Sequence, residues 1–277
     1  MSWPIIDEPK IDCHCHVIDP VRFPYRPDTA YRPSGQEIAP LDHLLMIMDL
    51  HGVRHGLVVG TMSGYGEDLG PVLDAVARGQ GRLAGMGVVG NTIPTAELAR
   101  LRAGGIIGIA FNTTLSHPEF YDDAGDLLRR LADLDMILQV QAKNDELLRL
   151  LPLIERSGVR LVIDHCGRPS PAAGLDQPGF RELLALGRSR RAIVKLSGLR
   201  QFSQERFPYA DTHPYVHALL EAFTPNSCVW GSDFPFIRAP ERIDYGPLLL
   251  LMKKLVPDPD ARRTLLWDTP RRLLGLA

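Results

Sequence analysis

Ile11-Asp12-Cys13-His14-Cys15-His16-Val17 is the stretch on which the reading of this chain turns. Read as a strand, it places His14 and His16 on one face and Cys13 and Cys15 on the other, because side chains alternate with a period of two. A long loop comes next, Ile18 to Pro40, with Pro20, Pro24, Pro27, Pro33 and Pro40 set among aromatics and arginines. A doubly wound sheet normally carries a Gly-rich phosphate loop directly after its first strand, and this chain has none there.

Outward from that stretch, seven more apolar runs of strand length recur: Gly56–Gly60, Leu83–Val89, Ile106–Phe111, Met136–Gln141, Arg160–His165, Ala192–Ser197 and Cys228–Gly231. They are rich in Val, Ile and Leu and mostly bounded by Gly, Asp or Pro, as parallel strands buried on both faces are. Segments of helical periodicity alternate with them: Leu41–Met48, Asp123–Leu134, Asp145–Ser157, Phe180–Leu186, Tyr215–Phe223, Leu248–Leu255 and Asp260–Trp267. Thr95 and Asp260 are read as N-caps. Eight strands alternating with helices predict a single-domain (β/α)8 TIM barrel over residues 1–277. No repeat or linker divides the chain.

Composition removes several function classes. With 31 Lys+Arg against 33 Asp+Glu, a net charge of −2 gives no electrostatic footprint for nucleic acid or an anionic membrane. Gly (25) and Pro (23) together stay below the roughly 25–30% that marks disordered chains. Leu248–Met252, a strongly apolar stretch, is far short of the ~20 residues of a membrane span. Met1–Glu8 has neither a basic leader nor a long apolar run, and Cys13, Cys15, Cys166 and Cys228 show no zinc-knuckle or redox spacing. The expectation is a cytoplasmic protein with four buried, reduced thiols and a small-molecule substrate.

Barrels place their chemistry at strand C-terminal ends. There the sequence sets His14 and His16 after the first run, His165 after the sixth in Asp164-His165-Cys166-Gly167-Arg168-Pro169, and Asp233 after the eighth in Trp230-Gly231-Ser232-Asp233-Phe234-Pro235. A lone strand-end His is more often structural than catalytic, and Gly-Ser-Asp could simply cap a following helix. The set is stronger than its members, since three imidazoles and a carboxylate share one kind of position. A second long loop, Arg200 to Pro214, comes after the seventh strand; loops of this length in a compact domain are usually functional.

These motifs, with Lys195-Leu196-Ser197-Gly198-Leu199 and the closing Thr269-Pro270-Arg271-Arg272-Leu273, resemble the amidohydrolase superfamily across essentially the whole chain. The branch they are similar to contains 2-pyrone-4,6-dicarboxylate lactonase and sugar-lactone hydrolases. The resemblance implies a (β/α)8 hydrolase active in carbohydrate or aromatic catabolism. Asp233 would be the general base for water, with His14, His16 and His165 polarising a lactone carbonyl. It further matches Tyr31 and Arg168 to substrate-contacting positions, and Arg200 lies within one residue of another such arginine.

The departures from the family pattern matter as much. Superfamily metal centres draw on a Lys or Glu from the fourth strand and a His from the fifth, where this chain has Ile109-Ala110-Phe111-Asn112 and Gln141. The bridging group is missing, which argues against a binuclear centre, and Gln suits Zn²⁺ poorly. The expectation is therefore no required cofactor, with one divalent cation (Zn²⁺ or Mn²⁺) on His14, His16 and Asp233 as the alternative. Ala110 stands where the dicarboxylate enzyme uses a strand-four arginine, while Gln141 and Asn112 suit hydroxyl groups. A sugar-acid or monocarboxylic lactone is the expected substrate. The rival readings are a metal-dependent decarboxylase acting on a small unsaturated acid, and a barrel that binds a small molecule without catalysis.

Overall fold

The computed structural model describes residues 4–276. Met1–Trp3, where the leader reading begins, and Ala277 lie outside the described residues. Eight parallel strands form one sheet in chain order: β1 (Lys10–Cys15), β2 (Val53–Val59), β3 (Leu83–Gly87), β4 (Ile106–Asn112), β5 (Ile137–Gln141), β6 (Arg160–Ile163), β7 (Ala192–Leu196) and β8 (Cys228–Trp230). A helix comes after each strand: Leu41–Leu50, Gly70–Arg78, Thr95–Ala103, Gly125–Asp133, Glu146–Ser157, Pro178–Arg188, His213–Phe223 and Tyr245–Leu255. The fold is the expected (β/α)8 barrel.

The strand interiors explain the sheet. Every residue of β1 is buried, as are Leu57, Val58 and Val59 of β2 and Val194, Lys195 and Leu196 of β7. Such strands cannot stand at a wet edge, and burial on both faces is what a parallel sheet with helices around it supplies.

Several expectations need correction. β6 ends at Ile163, so His165 is not a strand residue; it opens a tight turn with positive φ at His165 (48°), Cys166 (58°), Gly167 (71°) and Arg168 (43°). Asp260 does not cap the C-terminal helix. Asp258 does, its carboxylate accepting from the backbone of Asp260 and Ala261 across Pro259, which occupies the first helical turn where a missing N–H costs nothing. Thr95 lies inside its helix, and the backbone of Glu97 and Leu98 returns to the Pro94 carbonyl. No helix comes directly after Ser232-Asp233, so a helix-capping role for these residues falls away.

The chain forms two compact units. The first takes in the described residues up to Val88, Ala103–Ile107 and the described residues from Trp230 on; the second takes in Val89–Arg102 and Gly108–Val229. Within the first, the chain beyond β8 continues the backbone ladder onto β1. Asp233 N donates to His14 O (2.8 Å), His16 N donates to Phe234 O (2.8 Å), and Cys15 bridges Phe234 in parallel register. The four cysteines are free and buried. Among the described residues no helix is long and apolar enough to cross a membrane.

Candidate active site

In the first unit, the ladder between β1 and the segment after β8 brings three of the expected site residues together. Asp233 Oδ1 lies 3.5 Å from His16 Nε2 and 3.8 Å from His14 Nε2. The two imidazoles meet edge to face with centroids 5.0 Å apart. All three side chains are buried. Asp233 adopts φ 63°, a left-handed conformation that Asp tolerates better than most residues but that still costs about 1–3 kcal/mol and persists only where its surroundings impose it.

The surroundings do impose it, through a residue that position along a strand does not single out. Asp12, inside the opening motif, is fully buried. Its Oδ1 accepts from His14 N (3.0 Å) and Ser232 N (2.9 Å), and its Oδ2 from Ser232 Oγ (2.5 Å) and Tyr245 Oη (2.8 Å). One carboxylate thus ties the residue before Asp233 to the strand that bears His14. Burial pushes the Asp12 carboxyl above the usual carboxylate range, and the hydrogen bonds from Ser232, His14 and Tyr245 pull against it. Burial and the neighbouring Asp12 charge push the Tyr245 phenol well above its ordinary value.

Gly231 lets these backbones approach. A Cβ there would stand 2.6 Å from His14 Cβ and 2.9 Å from His14 N. Gly231→Ala is therefore expected to destabilise the protein by about 1–3 kcal/mol, as overpacking against backbone does. Chemical denaturation followed by circular dichroism checks this; an unchanged midpoint contradicts it.

His16 has a defined tautomer. Its Nδ1 lies 2.7 Å from the Val59 carbonyl oxygen, which can only accept, so Nδ1 carries the proton and Nε2 of the neutral ring presents a lone pair. The ligand atoms of His14, His16 and Asp233 all lie within 4.8 Å of one another. Two imidazoles and a carboxylate are a zinc-type donor set, and a backbone carbonyl on the far ring nitrogen is how metal-binding imidazoles are oriented. These residues fit a single divalent cation.

The same unit holds Tyr31, in the loop after β1. Its hydroxyl donates to both carboxylate oxygens of buried Glu37 (2.8 Å each), and the Arg238 guanidinium sits 4.4 Å over its ring. Glu37 also accepts from the backbone of Ser34 and Arg238, so it binds the loop after β1 to the loop after β8. Nothing in the sequence singles out Glu37 or Arg238. Only the finished fold joins positions 201 residues apart.

The second unit holds the remaining candidates. His165 is buried, with Nδ1 3.0 Å from Ser197 Oγ. Arg168, half-buried, approaches Thr114 Oγ1 (3.4 Å) and the Gln201 carbonyl (3.5 Å). Asn112 at the end of β4 donates to Gln141 at the end of β5 (3.4 Å), while its own Oδ1 accepts from Thr114. Arg200 sits half-buried in the turn Leu199–Gln201 after β7. Lys195 is wholly buried on Asp164 and Gln139, so it is structural.

A (β/α)8 barrel carrying His-x-His at the end of β1 and an Asp after β8 defines a hydrolase of the amidohydrolase type. The chain belongs to the Amidohydrolase family, which it matches over residues 11–276. It is similar to the 4-sulfomuconolactone hydrolase of Rhizobium radiobacter, 33% identical over 273 residues, covering 96% of this chain and 89% of that one. It is also similar to the 2-pyrone-4,6-dicarboxylate hydrolase of Comamonas testosteroni, at 26% identity over 276 residues with 95% and 89% covered. Among solved structures, a candidate 2-pyrone-4,6-dicarboxylic acid hydrolase from Pseudomonas putida superposes with a TM-score of 0.84, at 27% identity and with 96% and 97% of the two chains covered.

Proposed function

We propose that this hydrolase opens a small lactone, with Asp233 as general base for water and His14, His16 and His165 polarising the ring carbonyl. The observation that carries the reading is the buried Asp233 carboxylate set 3.5 Å and 3.8 Å from two imidazole Nε2 atoms. The lactone substrates in the names of the Rhizobium and Comamonas relatives support it. Asp233 takes a proton from water as its oxygen bonds to the carbonyl carbon. The N–H groups of His14 and His165, and of His16 when it is doubly protonated, hold the oxyanion, each well-placed donor worth about 3 kcal/mol. The ring C–O bond then breaks, the alkoxide recovers the proton from Asp233, and a hydroxy acid leaves.

For the substrate, we favour a sugar-acid or monocarboxylic lactone. Ala110 offers no cation at the end of β4, while Asn112 and Gln141 present amides that both donate and accept. Arg168 and Arg200 are our candidates for holding a single anionic group, and Tyr31 for a separate substrate contact. We place the reaction in the cytoplasm, in one catalytic domain; four free, buried cysteines accord with a reducing compartment.

The leading form of this reading needs no metal. The second form is favoured by the His16 tautomer, because a neutral His16 has no Nε2 proton to give and can donate there only when doubly protonated. In that form His14, His16 and Asp233 hold one Zn²⁺ or Mn²⁺. When bound, such an ion supplies Lewis acidity and lowers the pKa of a bound water. Acid release from a panel of hydroxylated, monocarboxylic and dicarboxylic lactones, before and after chelator dialysis, tests both forms. The expected result is turnover of the first two classes that survives dialysis. Activity lost and restored by Zn²⁺ or Mn²⁺ selects the second form; no turnover of any lactone overturns the proposal.

A further inference from the structure

We infer that Ser197 is a positioning residue that holds His165 in the tautomer protonated on Nε2, making His165 a hydrogen-bond donor to the substrate. The catalytic part of this inference rests on the lactonase reading; the tautomer does not.

Ser197 comes directly after β7 and is 3% exposed. Its Oγ lies 3.0 Å from His165 Nδ1, and among the described residues that nitrogen is the acceptor its hydroxyl reaches. A hydroxyl has one proton to donate, and a buried donor without an acceptor costs about 1–3 kcal/mol. The Ser197 proton therefore points at Nδ1, which must carry the lone pair. In the neutral ring the remaining proton sits on Nε2.

The local backbone is built for this contact. His165 holds φ 48°, in the left-handed region, at the head of four consecutive positive-φ residues. Gly198 holds φ 59°, and a Cβ there would stand 2.4 Å from His165 Nδ1. Ser197 grips the imidazole, and Gly198 leaves the room in which it lies.

His16 makes the opposite arrangement. Its Nδ1 donates to a carbonyl, so its Nε2 bears the lone pair; the His165 Nδ1 accepts from a hydroxyl, so its Nε2 bears the proton. The chain thus separates two imidazole chemistries by the partner behind each ring. A lone pair on His16 suits accepting a proton or a cation, and an N–H on His165 suits an oxyanion.

The test is nitrogen NMR of histidine-labelled protein, with His165 resonances assigned by their disappearance in His165→Gln. The expected wild-type pattern is a neutral ring protonated on Nε2. Ser197→Ala should let the proton redistribute to Nδ1 and lower kcat by about 10- to 100-fold with KM little changed, the usual scale for removing the partner that orients a site imidazole. Ser197→Thr, which keeps the hydroxyl, should restore both. A wild-type ring protonated on Nδ1, or a Ser197→Ala enzyme with unchanged kcat, overturns the inference. Because the wild-type spectrum needs no turnover and no folded variant, it still decides if Ser197→Ala misfolds. Failure of the lactonase reading would register separately, as absence of lactone turnover.

Discussion

Asp233→Asn is expected to lower kcat on the best lactone by about 10²–10⁴, the range that general-base catalysis supplies, with the fold intact and KM within the same order. That loss corresponds to about 3–5 kcal/mol of transition-state stabilisation. Asn has the shape of Asp and can still hydrogen-bond the imidazoles, but its amide cannot take a proton from water. The backbone pairing of Asp233 N with His14 O and the Asp12 knot behind it do not involve the substituted atoms, so the melting temperature should hold. Saturation kinetics of acid release beside a thermal melt are the measurement. A variant keeping more than a tenth of wild-type kcat would remove Asp233 from the role of base. A protein that shows no turnover in either form, yet binds lactone equally well in both, would support the non-catalytic barrel.

The barrel was legible because its strands are buried on both faces and so appear as uninterrupted apolar runs of the right length. Other elements were not. The helix Gly70–Arg78 opens with Gly-Pro, a pair that reads as a turn in isolation, although Pro in the first helical turn is a normal beginning. His165 reads as the last residue of a strand, yet it turns left-handed; only the adjoining Gly167 hints at such a turn.

In the site, the residues that offer their chemistry at a strand end could be read from position alone: His14, His16 and Asp233 do gather. The residues that orient them could not. Asp12 meets Ser232 across 220 residues, and Ser197 meets His165 across 32. Neither has a spacing that distinguishes it from an ordinary core polar residue. One signal was available, an acidic residue inside a run that must be wholly buried, because such a group needs several donors to be tolerated. Asp12 meets that condition with four.

The same reasoning predicts the largest stability effect outside the first unit. Lys195→Met is expected to destabilise the protein by about 3–5 kcal/mol, the cost of removing one partner from a buried ion pair. Lys195 Nζ lies 3.0 Å from Asp164 Oδ1 and 2.5 Å from Gln139 Oε1, while Gln139 Nε2 donates to Asp164 Oδ2 at 2.6 Å. All three side chains are buried within β5, β7 and the end of β6. Met fills the space of the lysine stem but takes the ammonium away from the Asp164 carboxylate. If the cost arises from the loss of that ion pair, removing the carboxylate as well should recover much of it, since well-packed apolar residues often replace a buried pair at little cost. The double variant Lys195→Met/Asp164→Leu should therefore be more stable than Lys195→Met alone. Guanidinium denaturation of the wild type, both single variants and the double variant closes the cycle. A loss below about 1 kcal/mol for Lys195→Met would show that the pair is dispensable; equal losses in the single and double variants would trace the cost to packing. Because Asp164 directly precedes His165, kcat measured on the folded fraction separates this stabilising role from the orientation of the imidazole, which we assign to the Ser197 contact.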